Sequence, residues 1–235
     1  YYSAPRTRGD IMLIGPLIHK LKDFKVNQTE GCRLGSRTVK PYFYALEKLG
    51  VAIDTTSKHY HVSHNGLKKD REIIMYEAGD TVTETVIMAA ALIPGKTIIK
   101  FASANYQVQD VCFYLEKLGV KIDGIGPSTL VVHGVEKIDA DIEYTLGEDP
   151  IEAMSLITAA IVTKSGITIK RCPIDFLELE LLKLEKMGFK YKRGKKYKGE
   201  NGRINLADIE TLPSKLTALE EKIHALPYPG INIDN

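Results

Sequence analysis

The chain is poor in cysteine, in long apolar runs and in net charge, and each shortage removes a class of protein. Its three cysteines, Cys32, Cys112 and Cys172, cannot all pair, and no two stand in CxxC spacing. Neither a disulfide scaffold nor a structural zinc site is expected, and a reducing, cytoplasmic setting fits best. The longest apolar run, Val86 to Pro94, falls far short of the roughly 20 residues that span a bilayer, so a membrane-spanning helix is excluded. Lysine plus arginine number 32 against 30 acidic residues, a net charge of +2 that gives no global reason to expect nucleic acid or an anionic membrane as partner. The chain opens at Tyr1 without Met, signal h-region or transit-peptide composition, and so reads as a processed product or a piece of something longer. What remains is an ordinary soluble composition over 235 residues, a length that allows one or two domains.

A repeated phrase organises those residues. ALEKLGVAID at Ala45–Asp54 returns as YLEKLGVKID at Tyr114–Asp123 and, more loosely, as KLEKMGFKYK at Lys183–Lys192. Its leucine falls at Leu46, Leu115 and Leu184, two equal steps of 69 residues. Each phrase reads as an amphipathic helix stopped by Gly50, Gly119 or Gly188, followed by β-rich sequence. After the second phrase, VKIDGI and TLVVHGV flank GPS, a hairpin signal. Upstream of the phrases, IMLIGPLI, VIMAAALIPGKTIIK and LITAAIVTKSGITIK predict small-residue, largely buried helices, the last two running through Gly95 or Gly166 into a strand. The unit is helix, strand, loop, helix, strand, strand. A repeat of about 70 residues is too long for a solenoid, which favours α/β subdomains packed about a pseudo-symmetry axis. LGEDP at Leu146–Pro150 interrupts the pattern, and the expected division is 1–148 and 149–235, with LGEDP as a hinge.

The candidate chemistry lies in TEGCRLGSRTVKP, Thr29–Pro41. A loop thiol at Cys32, bracketed by Gly31 and Gly35 and flanked by Arg33 and Arg37, would have a lowered pKa and could exchange a proton near neutral pH. The two arginines, with Arg6 and Arg8, could hold phosphate or carboxylate oxygens. The alternative is an incidental surface thiol among solubilising charges, and spacing alone leaves both open.

GCRLGSRTV, preceded by RTRGDIMLIGPLI and followed by ALEKLGVAI, resembles the central segment of the UDP-N-acetylglucosamine 1-carboxyvinyltransferases, an enolpyruvyl transferase family. The resemblance continues through TETVIMAAALIPGKTII and reaches PYPGINID at Pro227–Asp234. It implies an α/β (α+β) inside-out barrel of six repeated βαβαββ subdomains in two domains that close on substrate. About three of the six units are present here. Residues 1–148 would be most of the first domain, and 149–235 would begin the second. It also implies transfer of enolpyruvyl from phosphoenolpyruvate to the 3′-hydroxyl of UDP-N-acetylglucosamine in peptidoglycan precursor synthesis. On that likeness Cys32 is the general acid and adduct-forming thiol, and Asp234 bonds the sugar hydroxyl and takes its proton. Arg8, Arg37, Val39 and Asp234 contact the substrates. No cofactor or metal is implied, nor any nucleic-acid or membrane partner; the full-length protein is expected to be monomeric and this piece alone inactive.

The sequence departs from the family pattern where uridine would lie. Thr38, Lys40, Pro41 and Tyr42 replace Pro, Asp, Leu and His; Gly79, Asp80 and Thr81 replace Ser-Val-Gly; Ile233 replaces Thr. An enolpyruvyl transferase with a different acceptor is therefore the first alternative. The shikimate-pathway enzyme is disfavoured by the cysteine loop, and a non-catalytic nucleic-acid-binding module is a third reading. His59, His61 and His64 read as a surface strand and turn rather than a metal site, because no further ligand follows at suitable spacing. KRGKKYK at Lys192–Lys198 reads as a solvated hairpin rather than a nucleic-acid patch, and Cys112 and Cys172 read as packing residues.

Overall fold

Three local stops set the frame of the molecule, a computed structural model that describes residues 8–28, 38–56 and 58–231. Helices α2 (Lys40–Lys48), α4 (Tyr106–Lys117) and α6 (Glu178–Lys186) end in the same way. Gly50, Gly119 and Gly188 take φ of 89°, 94° and 103°, a left-handed turn that side chains resist. Their N–H groups donate to Glu47, Glu116 and Glu185, while Val51, Val120 and Phe189 donate to the carbonyls of Leu46, Leu115 and Leu184. This is the Schellman arrangement, in which the residue after glycine also packs against the residue whose carbonyl it satisfies. The repeated leucine therefore serves each stop with both its carbonyl and its apolar side chain.

The strands repeat with the helices. In the first repeat, α1 (Ile14–Leu17), preceded by a 3-10 segment at Arg8–Leu13, leads into β1 (Asp23–Asn27), α2, β2 (Ala52–Thr55) and β3 (His59–Ser63). These strands form an antiparallel sheet in the order β1-β3-β2. The second repeat is a complete βαβαββ unit: β4 (Arg71–Ile74), α3 (Asp80–Ala91), β5 (Gly95–Lys100), α4, β6 (Lys121–Asp123) and β7 (Thr129–Gly134). Its order is β4-β5-β7-β6, with β4 parallel to β5 and the other pairs antiparallel. In the third repeat, α5 (Pro150–Thr163), β8 (Thr168–Pro173), a 3-10 turn at Ile174–Phe176, α6, β9 (Lys190–Arg193), β10 (Tyr197–Lys198) and β11 (Asn205–Leu212) follow in turn. β11 lies centrally between β8 and the β9/β10 edge. In every repeat the last strand thus sits between the strand that follows the first helix and the strand that follows the second. The predicted order of elements is reproduced.

Lys192–Lys198 is not the hairpin expected from its sequence. β9 and β10 do not pair with each other; both bond to the same side of β11, one beyond the other. The actual hairpin is β10–β11, where Asn201 Oδ1 accepts from the N–H groups of Arg203 and Ile204.

The chain divides into two compact units, residues 1–142 and 143–235. The first has a core that includes Ile11, Ile14, Leu46, Val86, Ile99 and Leu115. Within this unit Gly134, at the end of β7, meets the last turn of α3. A Cβ there would stand 2.0 Å from the Ile93 carbonyl oxygen and 2.4 Å from that of Ala90, so only glycine fits. The second unit has its own core, including Ile157, Cys172, Ile174, Leu177 and Ile209. LGEDP falls inside this unit. Asp149 caps α5 by accepting from the Ile151 N–H at 2.8 Å, Pro150 opens that helix, and Glu148 pairs with Arg171. Among the described residues no helix is long and apolar enough to cross a membrane.

Candidate functional site

Of the site residues expected from sequence, the structure describes Val39 fully and Arg8 in its backbone only. Cys32, Arg37, Asp234 and the side chain of Arg8 lie outside the described residues. Val39 stands at the start of α2, directly after the cysteine loop, with φ −91° and ψ −1°, and no side chain caps the helix there. Its half-buried side chain packs on the first core, and its carbonyl accepts from Tyr42 at 3.1 Å. Beside it, Thr38 Oγ1 accepts from the Lys40 N–H at 3.2 Å. The Lys40 side chain is exposed, so the charge-reversed position presents its ammonium to solvent.

The start of α2 touches the start of α3 through a hydrogen bond between the Tyr42 and Thr81 hydroxyls. Both residues belong to the altered positions, and they now hold each other. Gly79 precedes α3 in an extended conformation. A Cβ at 79 would lie 3.0 Å from Val82 Cγ1 and 3.3 Å from Glu77 Oε1, so the serine of the family pattern would be tightly placed here.

The start of α3 also holds the turn from β5 into α4. Asp80 accepts from the Ser103 hydroxyl on one carboxylate oxygen and from the Asn105 amide, at 2.9 Å, on the other. Ser103 N–H donates to Thr83 Oγ1, and Asn105 caps α4 by accepting from Tyr106 N–H. Starts of three helices, α2, α3 and α4, are therefore linked through Tyr42, Thr81, Asp80 and Asn105. Their amide-rich ends carry partial positive charge, which the Asp80 carboxylate offsets locally. One turn further along α3, Glu84 is buried, with 5% of its surface exposed, and its carboxyl is pushed up to about 7 by burial and then by the Asp80 charge. Sequence reasoning named Asp80 only as a departure from the family pattern and did not single out Glu84, Ser103 or Asn105. The signal was an acid pair four apart, Asp80 and Glu84, at the head of a helix whose other residues are all uncharged.

The other candidates resolve into ordinary roles. Burial pushes the Cys112 thiol up to about 12 and that of Cys172 up to about 11, so both stay protonated inside their cores. His61 bonds both carboxylate oxygens of Asp23 at 3.0 Å, and His64 donates to the Ile18 carbonyl at 2.9 Å. No group of three or more His, Cys, Asp or Glu side chains suited to a metal occurs among the described residues. In the basic segment, Lys192 pairs with Glu210, Arg193 with Glu178, and Lys196 with Asp175 and Glu178. Its charge is largely answered within the same unit.

Known proteins match this chain over nearly its whole length. The family model for EPSP synthase (3-phosphoshikimate 1-carboxyvinyltransferase) matches residues 10–234. A UDP-N-acetylglucosamine 1-carboxyvinyltransferase of Campylobacter hominis is 33% identical over 235 residues, covering 100% of this chain and 53% of the relative. One from Coxiella burnetii is 32% identical over 234 residues, 100% of this chain and 51% of the relative. One from Acinetobacter guillouiae is 34% identical over 194 residues, 83% of this chain and 46% of the relative. The chain thus spans about half the length of the curated relatives it matches. Among solved structures, the enolpyruvyl transferase NikO from Streptomyces tendae aligns with a TM-score of 0.68 at 20% identity, over 86% of this chain and 46% of that one. EPSP synthase from Acinetobacter baumannii also aligns at 0.68, with 16% identity, over 90% of this chain and 48% of that one. At such identities these structures speak for the fold, which is the α/β fold of enolpyruvyl transferases. Together with the three helix-strand-helix-strand-strand repeats, one of them a complete βαβαββ unit, a match running from residue 10 to residue 234 leaves one assignment: the chain belongs to the EPSP synthase family of enolpyruvyl transferases.

Proposed function

We propose that this chain is part of an enzyme that transfers enolpyruvyl from phosphoenolpyruvate to the 3′-hydroxyl of UDP-N-acetylglucosamine, in the cytoplasm, for peptidoglycan precursor synthesis. The observation that carries this reading is that relatives bearing that activity in their name match the whole chain at 32–33% identity. The cysteine loop and the Pro-x-Pro-Gly…Asp segment fall in order within that match.

In this reading Asp234 takes the proton of the acceptor hydroxyl as its oxygen bonds to C2 of phosphoenolpyruvate, and the Cys32 thiol protonates the C3 methylene. Loss of a proton from the new methyl group and departure of phosphate from C2 then restore the double bond. Arg8 and Arg37 hold the anionic oxygens, and the segment that carries the thiol leads in sequence directly into the amide-positive start of α2 at Val39 and Lys40. A thiol suits the acid role because its pKa can be tuned close to neutral by neighbouring guanidinium groups. Cys112 and Cys172, held near 12 and 11, are not placed for it.

A related enzyme with another acceptor is the second reading, and one observation favours it. Tyr42 and Thr81, both substituted relative to the family pattern, bond to each other across the starts of α2 and α3. Incubation of the full-length protein with phosphoenolpyruvate or fosfomycin, with and without UDP-N-acetylglucosamine, followed by peptide mass spectrometry, tests both. The first reading expects an adduct on Cys32 and turnover with the sugar nucleotide. A Cys32 adduct without such turnover supports the second reading, and an unmodified Cys32 in folded protein removes both.

A further inference from the structure

Where α2 ends, the first unit holds a surface cavity of about 520 Å³ whose walls are all charged: Glu47, Lys48, Lys68, Asp70, Arg71 and Glu72. That volume is the size small organic ligands occupy. Its three cations come from three places, the last turn of α2, the link between β3 and β4, and the first residue of β4. Two of its three acids are already engaged. Glu72 pairs with Lys100 at 2.9 Å, and Asp70 Oδ1 accepts from the Lys96 N–H at 2.8 Å. Among the described residues Lys48, Lys68 and Arg71 have no carboxylate partner, and Glu47 has no basic one. In the basic segment of the second unit, by contrast, Glu210, Asp175 and Glu178 answer the lysines.

The backbone fixes where these cations start. Lys68 N–H donates to the Leu49 carbonyl at 2.9 Å, and the Lys68 stem crosses the α2 stop, where a Cβ at Gly50 would stand 3.1 Å from Lys68 Cγ. Asp70 takes a left-handed φ of 52° and is locked there by its bond to Lys96, so Arg71 enters β4 in register with Thr97. The Leu46, Glu47 and Leu49 carbonyls are taken by Val51, Gly50 and Lys68, which leaves the helix end few free acceptors to repel an anion. One turn back along α2, on the face that carries Lys48, stands Tyr44, about 6 Å away along the axis. Its ring lies 5.5 Å from that of Tyr76, just beyond β4, and the two residues are 44% and 70% exposed. Aromatic faces open to water beside unanswered cations suit an anion that carries a flat ring.

We propose that this cavity is a binding site for a nucleoside monophosphate, separate from the site of enolpyruvyl transfer. Lys48, Lys68 and Arg71 hold the phosphate oxygens, with the Arg71 guanidinium able to take two of them at once. Glu47, the one acid left free, accepts from a ribose hydroxyl. The base lies against the Tyr44 and Tyr76 pair. The start of α2, into which the thiol segment leads, is about 13 Å away along the helix. No thiol, histidine, serine or threonine is among the lining residues, so the ligand is held there rather than transformed.

The test is isothermal titration calorimetry of the full-length protein with adenosine 5′-monophosphate, adenosine and inorganic phosphate as probes. The monophosphate should bind, more weakly as salt is raised, and the other two should each bind less tightly by about tenfold or more. Arg71→Ala and Lys68→Ala should each weaken the monophosphate about tenfold to a hundredfold through loss of a charge-assisted hydrogen bond. The double variant Tyr44→Ala/Tyr76→Ala should weaken it about fivefold to a hundredfold and leave inorganic phosphate unchanged. All four side chains are exposed, so thermal melts of the variants should match the parent. Arg37→Ala, in the proposed transferase site, should leave the monophosphate affinity unchanged. No binding of the monophosphate at millimolar concentration overturns the proposal, as does binding that is lost in Arg37→Ala but kept in Arg71→Ala and Lys68→Ala. Binding that ignores loss of both tyrosines, or is no tighter than that of inorganic phosphate, overturns the assignment to a nucleotide.

Discussion

Glu84 is the group whose replacement tests the electrostatics of the first unit most directly. In the unfolded chain its carboxyl titrates near 4.5, whereas in the folded unit burial and Asp80 hold it protonated up to about 7. Between these values the folded state binds the extra proton, so stability falls as pH rises from 4.5 to 7 and levels off above. At roughly 1.4 kcal/mol per pH unit the full interval is worth about 3 kcal/mol, and water reaching the edge of the carboxyl reduces this to about 2–3 kcal/mol. Glu84→Gln keeps the shape and carries no charge, so the penalty disappears. The variant should match the parent near pH 4.5 and exceed it by about 2–3 kcal/mol at pH 8, or about 4–12 °C for a protein of this size. Urea titrations of parent and variant at half-unit steps from pH 4.5 to 8.5 read this out as a widening gap in midpoint. A gap that stays constant across the range, or closes as pH rises, refutes the assignment of a buried, protonated Glu84.

Gly134→Ala should cost upwards of about 3 kcal/mol, because its methyl group meets two carbonyl oxygens of the α3 terminus; urea denaturation of the first unit checks it. Gly119→Ala should cost about 1 kcal/mol for the left-handed turn alone, since nothing stands within 4 Å of the added carbon. Gly50→Ala should cost more, as its new carbon also lies 3.1 Å from the Gly66 carbonyl oxygen, and paired thermal melts give the difference. Toward a soluble disulfide reagent, Cys112 and Cys172 should react only on unfolding, while Cys32 is expected to react in the native protein; timed labelling with peptide mapping separates the three.

The parts of the structure written in neighbouring residues could be read directly. Gly50, Gly119 and Gly188 announced the helix ends because the Schellman bonds span only a few residues. The Gly-Pro-Ser between VKIDGI and TLVVHGV likewise announced the pairing of β6 with β7. LGEDP was legible as a break, but Asp149 and Pro150 turn out to start a helix, and the compact units divide at residues 142 and 143. Lys192–Lys198 looked like one hairpin because its partner strand, β11, begins only at Asn205.

The candidate site divides along the same line. Cys32, with its glycines and arginines, and the Pro-x-Pro-Gly…Asp segment are short patterns, so resemblance could pick them out residue by residue. Asp80 meets Ser103 and Asn105 across 23 and 25 positions, Tyr42 meets Thr81 across 39, and Tyr44 meets Tyr76 across 32. No periodicity or spacing encodes such pairs, because they exist only once helices and strands have packed.

By itself the sequence determined the repeat, its helix stops, the order of its elements and the family, since each depends on residue type at short or regular spacing. Only the tertiary structure decided which strand lies in the middle of each sheet, that the Lys192–Lys198 charges are met by Glu210, Asp175 and Glu178, and that Glu84 is buried beside Asp80. These are outcomes of burial and of Coulomb interaction over a few ångströms, and distance in space is set by packing rather than by position along the chain.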